Sequence, residues 1–149
     1  MKKAVIAVAV VLVFIFTLTQ KSGAADAGTW AELSDLLGSS DDYYSSPIEL
    51  LADITSNTFS LLNLGANKTI TSNPSKPLSL TFAAPQTGIL ALSVKKLMFQ
   101  NLNLLTFSNA SASAIKNENL SLITFDTLTV KFLNNIVASG NGGAIYNSG

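Results

Sequence analysis

Any chemistry in this chain has to come from nine acidic residues, nine lysines and its hydroxyl groups, because the 149 residues include no histidine, cysteine or arginine. The commonest general base, the commonest thiol nucleophile and the usual transition-metal ligands are therefore missing together. Seven of the acids lie between Asp26 and Asp53, a stretch without a basic residue. Asp41-Asp42 is an adjacent pair within it. Two neighbouring carboxylates can be read as calcium ligands or a catalytic acid pair, but calcium loops place their ligands at alternate positions, so the pair reads as part of a solvated loop. Past position 54 only Glu118 and Asp126 are acidic, eight residues apart. Glycoside cleavage needs two carboxyls converging on one bond, and these read as solvated turn residues. Lys95-Lys96 reads as an exposed strand edge that discourages sheet-to-sheet pairing rather than as a phosphate or nucleic-acid site. Asn67-Lys68-Thr69, Asn109-Ala110-Ser111 and Asn119-Leu120-Ser121 match glycosylation acceptors, as an Asn- and Ser-rich chain does by chance. The residues predict a protein that is not an enzyme, with no catalytic residue, metal site or cofactor.

The elements that would position these residues begin with an export signal. Lys2-Lys3 precede a run from Ala4 to Leu18 that is apolar apart from Thr17, and polar or small residues follow from Thr19 to Ala25. Fifteen residues are short for a membrane span, which takes about 20, so residues 1–24 are expected to be a signal peptide cleaved after Ala24 or within three residues of it. No cysteine follows for a lipid anchor and no twin arginine precedes it, so the general secretory route is implied. Cleavage there leaves six lysines against nine acids, which does not suit nucleic-acid binding. The absence of cysteine also argues against a disulfide-stapled secreted fold.

Residues 25–53 form an acidic segment with expected short helices. Thr29-Trp30-Ala31-Glu32 has capping-box spacing, with Leu33, Leu36 and Leu37 on one helical face before Gly38. Ser46-Pro47-Ile48-Glu49 repeats the start signal, with Pro at the first helical position and Leu50-Leu51 behind it. Gly38 to Ser46 is expected to be a loop.

Residues 54–149 form a β-rich repeat region. Asn73-Pro74-Ser75-Lys76-Pro77 marks a break. After it, Leu80-Thr81-Phe82, Leu105-Thr106-Phe107 and Val130-Lys131-Phe132 recur every 25 residues, as do Leu97 with Leu122 and Met98 with Ile123. Such a period signals stacked coils. The fold expected is mainly β: a partial right-handed parallel β-helix, with Phe82, Phe107 and Phe132 stacked inward, Leu80, Leu105 and Val130 beside them, and asparagines bonding at the corners. Ala144 to Asn147 echoes Ala114 to Asn117 at an offset of 30. Ile123-Thr124-Phe125 stands out of step with this register. An antiparallel β-sandwich is the alternative.

Phe132 followed three places later by Asn135, and then Gly142-Gly143-Ala144-Ile145, resembles the paired FxxN and GGA[ILV] repeats of chlamydial polymorphic membrane proteins. The resemblance covers about a dozen residues, each motif occurring once. It implies the N-terminal passenger part of an autotransporter-type adhesin on the outer membrane of a Gram-negative cell or secreted from it, truncated before the anchoring barrel. Its implied partners are a host-cell surface protein or glycan and other passenger chains. A small N-terminally membrane-anchored structural protein and a secreted carbohydrate-active β-helix protein are the alternatives.

Overall fold

The computed structural model describes residues 24–56, 62–86, 90–110, 113–119, 121–135 and 144–148. The expected signal peptide, apart from Ala24, lies outside them. The described chain forms thirteen strands and one helix: β1 Ala25–Ala27, α1 Trp30–Gly38, β2 Tyr43–Leu50, β3 Ile54–Thr55, β4 Leu62–Asn63, β5 Lys68–Thr71, β6 Ser79–Gln86, β7 Leu90–Ser93, β8 Lys96–Gln100, β9 Leu104–Ala110, β10 Ile115–Glu118, β11 Leu122–Asp126, β12 Val130–Leu133 and β13 Ile145–Ser148.

From β2 onward the strands visit three sheets in rotation, giving four coils. The first sheet runs β1-β2-β5-β8-β11, the second β12-β9-β6-β3 and the third β13-β10-β7-β4. Every pairing among the described residues is parallel. This is a parallel β-solenoid, and the antiparallel sandwich is excluded.

In-register parallel strands lie about 4.8 Å apart, so like residues in one column must stack face to face. Phe82 and Phe107 stack at 4.9 Å and Phe107 and Phe132 at 5.2 Å, as the period predicts. Leu80, Leu105 and Val130 share the neighbouring column. The first sheet departs from the 25-residue period. Leu97 stands opposite Ile123, and Met98 opposite Thr124, an offset of 26. One extra residue separates β10 from β11 compared with β7 from β8, and one fewer separates β11 from β12 compared with β8 from β9. The out-of-step Ile123-Thr124-Phe125 is thereby the partner of Leu97-Met98-Phe99, and Phe99 and Phe125 make a second stack at 5.8 Å.

Helix α1 has the expected capping box, with the Thr29 hydroxyl accepting from the Glu32 backbone N–H and the Glu32 carboxylate accepting from that of Thr29. It buries Leu33 and Leu37 and sets Trp30 edge-on to Phe82 at 5.7 Å. The helix thus covers the first end of the aromatic column. The second expected helix is corrected: Ser46 to Leu50 belong to β2, and the expected loop ends before Tyr43. Ile48 and Leu50, two apart, both point into the core as a strand requires. Between Tyr43 and Ile48 the register with β5 shifts, around a proline that has no N–H to give the ladder. β1 and β2 also continue the sheet that holds β5, so the change of composition at position 53 is not a structural break.

Gly65 is demanded by close approach. Its N–H donates to the Leu37 carbonyl at 3.0 Å, and a Cβ there would collide with the carbonyl oxygens of Gly38 and Ser39. The last coil is less covered than those before it. Leu97, Phe99, Leu105 and Phe107 are buried, whereas Ile123, Phe125, Val130 and Phe132 above them are only partly so.

Candidate functional site

The motif residues have structural positions. Phe132 ends the inward stack, and Asn135, at the corner that follows, donates from Nδ2 to the carbonyl of Phe107 one coil earlier at 3.1 Å. A phenylalanine with asparagine three places on therefore locks one coil to the preceding one. Ala144 accepts from the Ile115 N–H at 3.1 Å, and Ile145 pairs with Ile115. The echo of Ala114 to Asn117 in Ala144 to Asn147 is thus a true register, closed by Asn117 Nδ2 donating to Asn147 Oδ1 at 2.8 Å. Gly142 and Gly143 lie outside the described residues.

Asparagines do occupy the corners. Asn101, Asn119 and Asn134 have φ of 55°, 53° and 53°, a left-handed geometry that Asn tolerates. Val94 adopts φ 52° at the corner that Asn119 occupies one coil later, and its side chain is 70 % exposed. A β-branched residue is strained there.

The Asp41-Asp42 pair shapes the entry to β2. Asp42 accepts from the Tyr44 N–H at 2.9 Å and from Asn67 Nδ2 at 2.8 Å. The Asp41 carbonyl accepts from the Lys68 ammonium, which also donates to the Ser39 carbonyl at 2.9 Å and the Ser39 hydroxyl at 3.0 Å. Lys68 is fully buried and its Nζ lies 4.7 Å from the Tyr43 ring centre. Burial pushes its pKa down to about 8, with the Asp41 and Asp42 charges pulling the other way. Burial, and then the Asp41 charge, pushes the Tyr43 hydroxyl up. With three acceptors filled, this lysine ties the end of α1 to the second coil. Its signal in the sequence was a charged residue at the inward phase of the Lys68-Thr69-Ile70 alternation.

Lys96 is not on a sheet edge as expected, because β8 lies between β5 and β11. It extends outward over the Tyr44 ring at 5.5 Å. Glu118 and Asp126 are not brought together: Glu118 pairs with Lys116 at 2.8 Å, while Asp126 ends the outer side of β11. Among the described residues no group of three or more acidic, His or Cys side chains is placed to hold a metal ion.

What the fold does assemble is an outer face. On the first sheet Asp26, Glu49, Thr71, Gln100 and Asp126 stand in register, one from each of the five strands. All are polar and all keep solvent exposure. A scan against protein-family models, a search of curated proteins and a search of solved structures each found no match to this chain.

Proposed function

We propose that this chain is an interaction protein of the surface-adhesin type, exported through the general secretory route after cleavage near Ala24 and displayed on, or released from, a Gram-negative cell as a passenger-type solenoid. The observation that carries this reading is the polar column of Asp26, Glu49, Thr71, Gln100 and Asp126 on a five-stranded sheet. Side chains on neighbouring parallel strands are held about 4.8 Å apart, so the column is a flat and rigid array of hydrogen-bonding groups. Solenoids use such extended surfaces for recognition. The FxxN and GGAI resemblance supplies the class of partner, a protein or glycan of a host cell surface.

The test is binding of the labelled exported chain to cultured epithelial cells. Saturable binding, competed by unlabelled chain and cut several-fold by Glu49→Lys with Gln100→Lys at an unchanged circular dichroism spectrum, is the expected result. Binding no better than that of an unrelated solenoid, or indifferent to the column, would overturn the reading. An intact mass of the exported chain that still contains residues 1–18 would reject cleavage near Ala24.

A further inference from the structure

Among the described residues four non-glycine positions hold a left-handed backbone, and three of them, Asn101, Asn119 and Asn134, are of the type that tolerates it. Val94 is the fourth. It stands level with Asn119 of the next coil and is 70 % exposed, so packing inside the chain does not offset the strain of a β-branched side chain there. Such strain is concentrated at binding and catalytic sites. The corner that carries it is tied to the coil that follows. The Lys95 N–H donates to the Ser121 hydroxyl at 3.2 Å, and the Lys95 carbonyl accepts from the Leu122 N–H at 3.0 Å. Leu122, opposite Lys96, is 49 % exposed. Two aliphatic side chains are thus held out to solvent, one strand and two places apart.

Two ammonium groups border the pair. Lys95 donates from Nζ to the Ser93 carbonyl at 3.2 Å, and Lys96 extends over the Tyr44 ring. Glu118, level with Ser93, is tied to Lys116 at 2.8 Å. Asp42 is held by Asn67, whose side chain also accepts from the Lys96 N–H, so this acid lies on the far side of Lys96 from Leu122. The outward residues of β8 then run from Lys96 through Met98 to Gln100, since Leu97 and Phe99 are buried. Gln100 belongs to the polar column of Asp26, Glu49, Thr71 and Asp126. At about 3.3 Å per residue, corner and column are roughly 13 Å apart, within the footprint of a single protein partner at about 800 Å².

Building on the first sheet as the recognition face, we propose that the Val94–Leu122 corner and the polar column form one protein-binding surface. The partner lays an aliphatic or aromatic side chain between Val94 and Leu122, acidic groups beside Lys95 and Lys96, and basic groups along Asp26, Glu49 and Asp126. An apolar spot joined to a polar, charged border is the anatomy of a protein–protein interface. A glycan brings hydroxyls and carboxylates, but no aliphatic side chain for the corner, and an acidic glycan is repelled by the column. Anionic lipid surfaces are read by clusters of about 4–8 basic residues, and this corner has two.

Val94→Asn separates binding from folding, because it installs the residue that the other left-handed corners use. In the epithelial-cell assay it should lower binding about fivefold or more, with a Tm equal to or above that of the parent. Leu122→Thr, which keeps a strand former at the head of β11, should lower binding in the same direction at an unchanged circular dichroism spectrum. Trypsin treatment of the cells should abolish binding of the parent chain, and enzymatic removal of surface glycans should leave it within about twofold. Parent chain that does not bind, or binds indifferently to Glu49→Lys with Gln100→Lys, would overturn the adhesin reading and this surface with it. Column-dependent binding that both corner variants retain would overturn the corner alone. Binding that survives trypsin and is lost with the glycans would overturn the protein partner. So would binding to protein-free vesicles of phosphatidylcholine and phosphatidylserine that Val94→Asn weakens.

Discussion

Replacing Phe107 and, separately, Phe132 by alanine removes the same ring from the same column, yet the structure assigns the two changes different costs. Phe107 is fully buried between Phe82 at 4.9 Å and Phe132 at 5.2 Å, with the edge of Phe99 at 6.1 Å. Truncating such a ring loses its transfer free energy and leaves a cavity that stacked coils cannot collapse, so Phe107→Ala should cost about 3–5 kcal/mol. Phe132 stacks on Phe107 on one side and is only partly buried. Its alanine variant leaves an open notch instead of a closed cavity, and the cost should fall to about half, roughly 1.5–2.5 kcal/mol. For a domain whose whole stability is about 5–15 kcal/mol, that gap is easily measured. The assay is urea unfolding followed by far-ultraviolet circular dichroism, at dilutions where the chain is monomeric. A Phe132→Ala cost equal to or above that of Phe107→Ala under those conditions would refute the open-ended stack.

Val94→Asn relieves a β-branched residue at φ 52° and should stabilise the chain by about 1 kcal/mol, seen as a higher Tm; an unchanged or lower Tm would show that the corner is not strained. Lys68 has a pKa of about 8 in the fold against 10.5 as its ordinary value, so the native state binds fewer protons and its stability increment is fully present above 10.5 and lost as pH falls through about 8. Tyr43, pushed up from 10.0, acts in the opposite sense only above pH 10, which leaves pH 8 to 10 as the clean window. Unfolding free energy should rise across that window in the parent chain, and a rise of the same size in Lys68→Met would exclude the buried ammonium as its source.

What the sequence alone determined is local and periodic. Thr29 and Glu32 specify the start of α1, because a capping box is complete within four residues. Leu-Thr-Phe alternation assigns an inner and an outer side, and its recurrence at 25 residues predicts the Phe82, Phe107 and Phe132 stack. The tertiary structure decided what depends on residues far along the chain. Ser46-Pro47-Ile48-Glu49 carries a good helix start, but β1 on one side and β5 on the other offer the backbone partners along both edges, and the strand prevails. The offset of 26 in the first sheet follows from corner lengths, which the apolar pattern does not encode. Burial of Lys68 rests on the carbonyls of Ser39 and Asp41, 29 and 27 residues earlier, and the role of Asn135 rests on the carbonyl of Phe107, 28 residues earlier. Side-chain periodicity records which face a residue takes within one coil, whereas backbone acceptors in the neighbouring coil have no sequence signature and exist only once the coils are stacked.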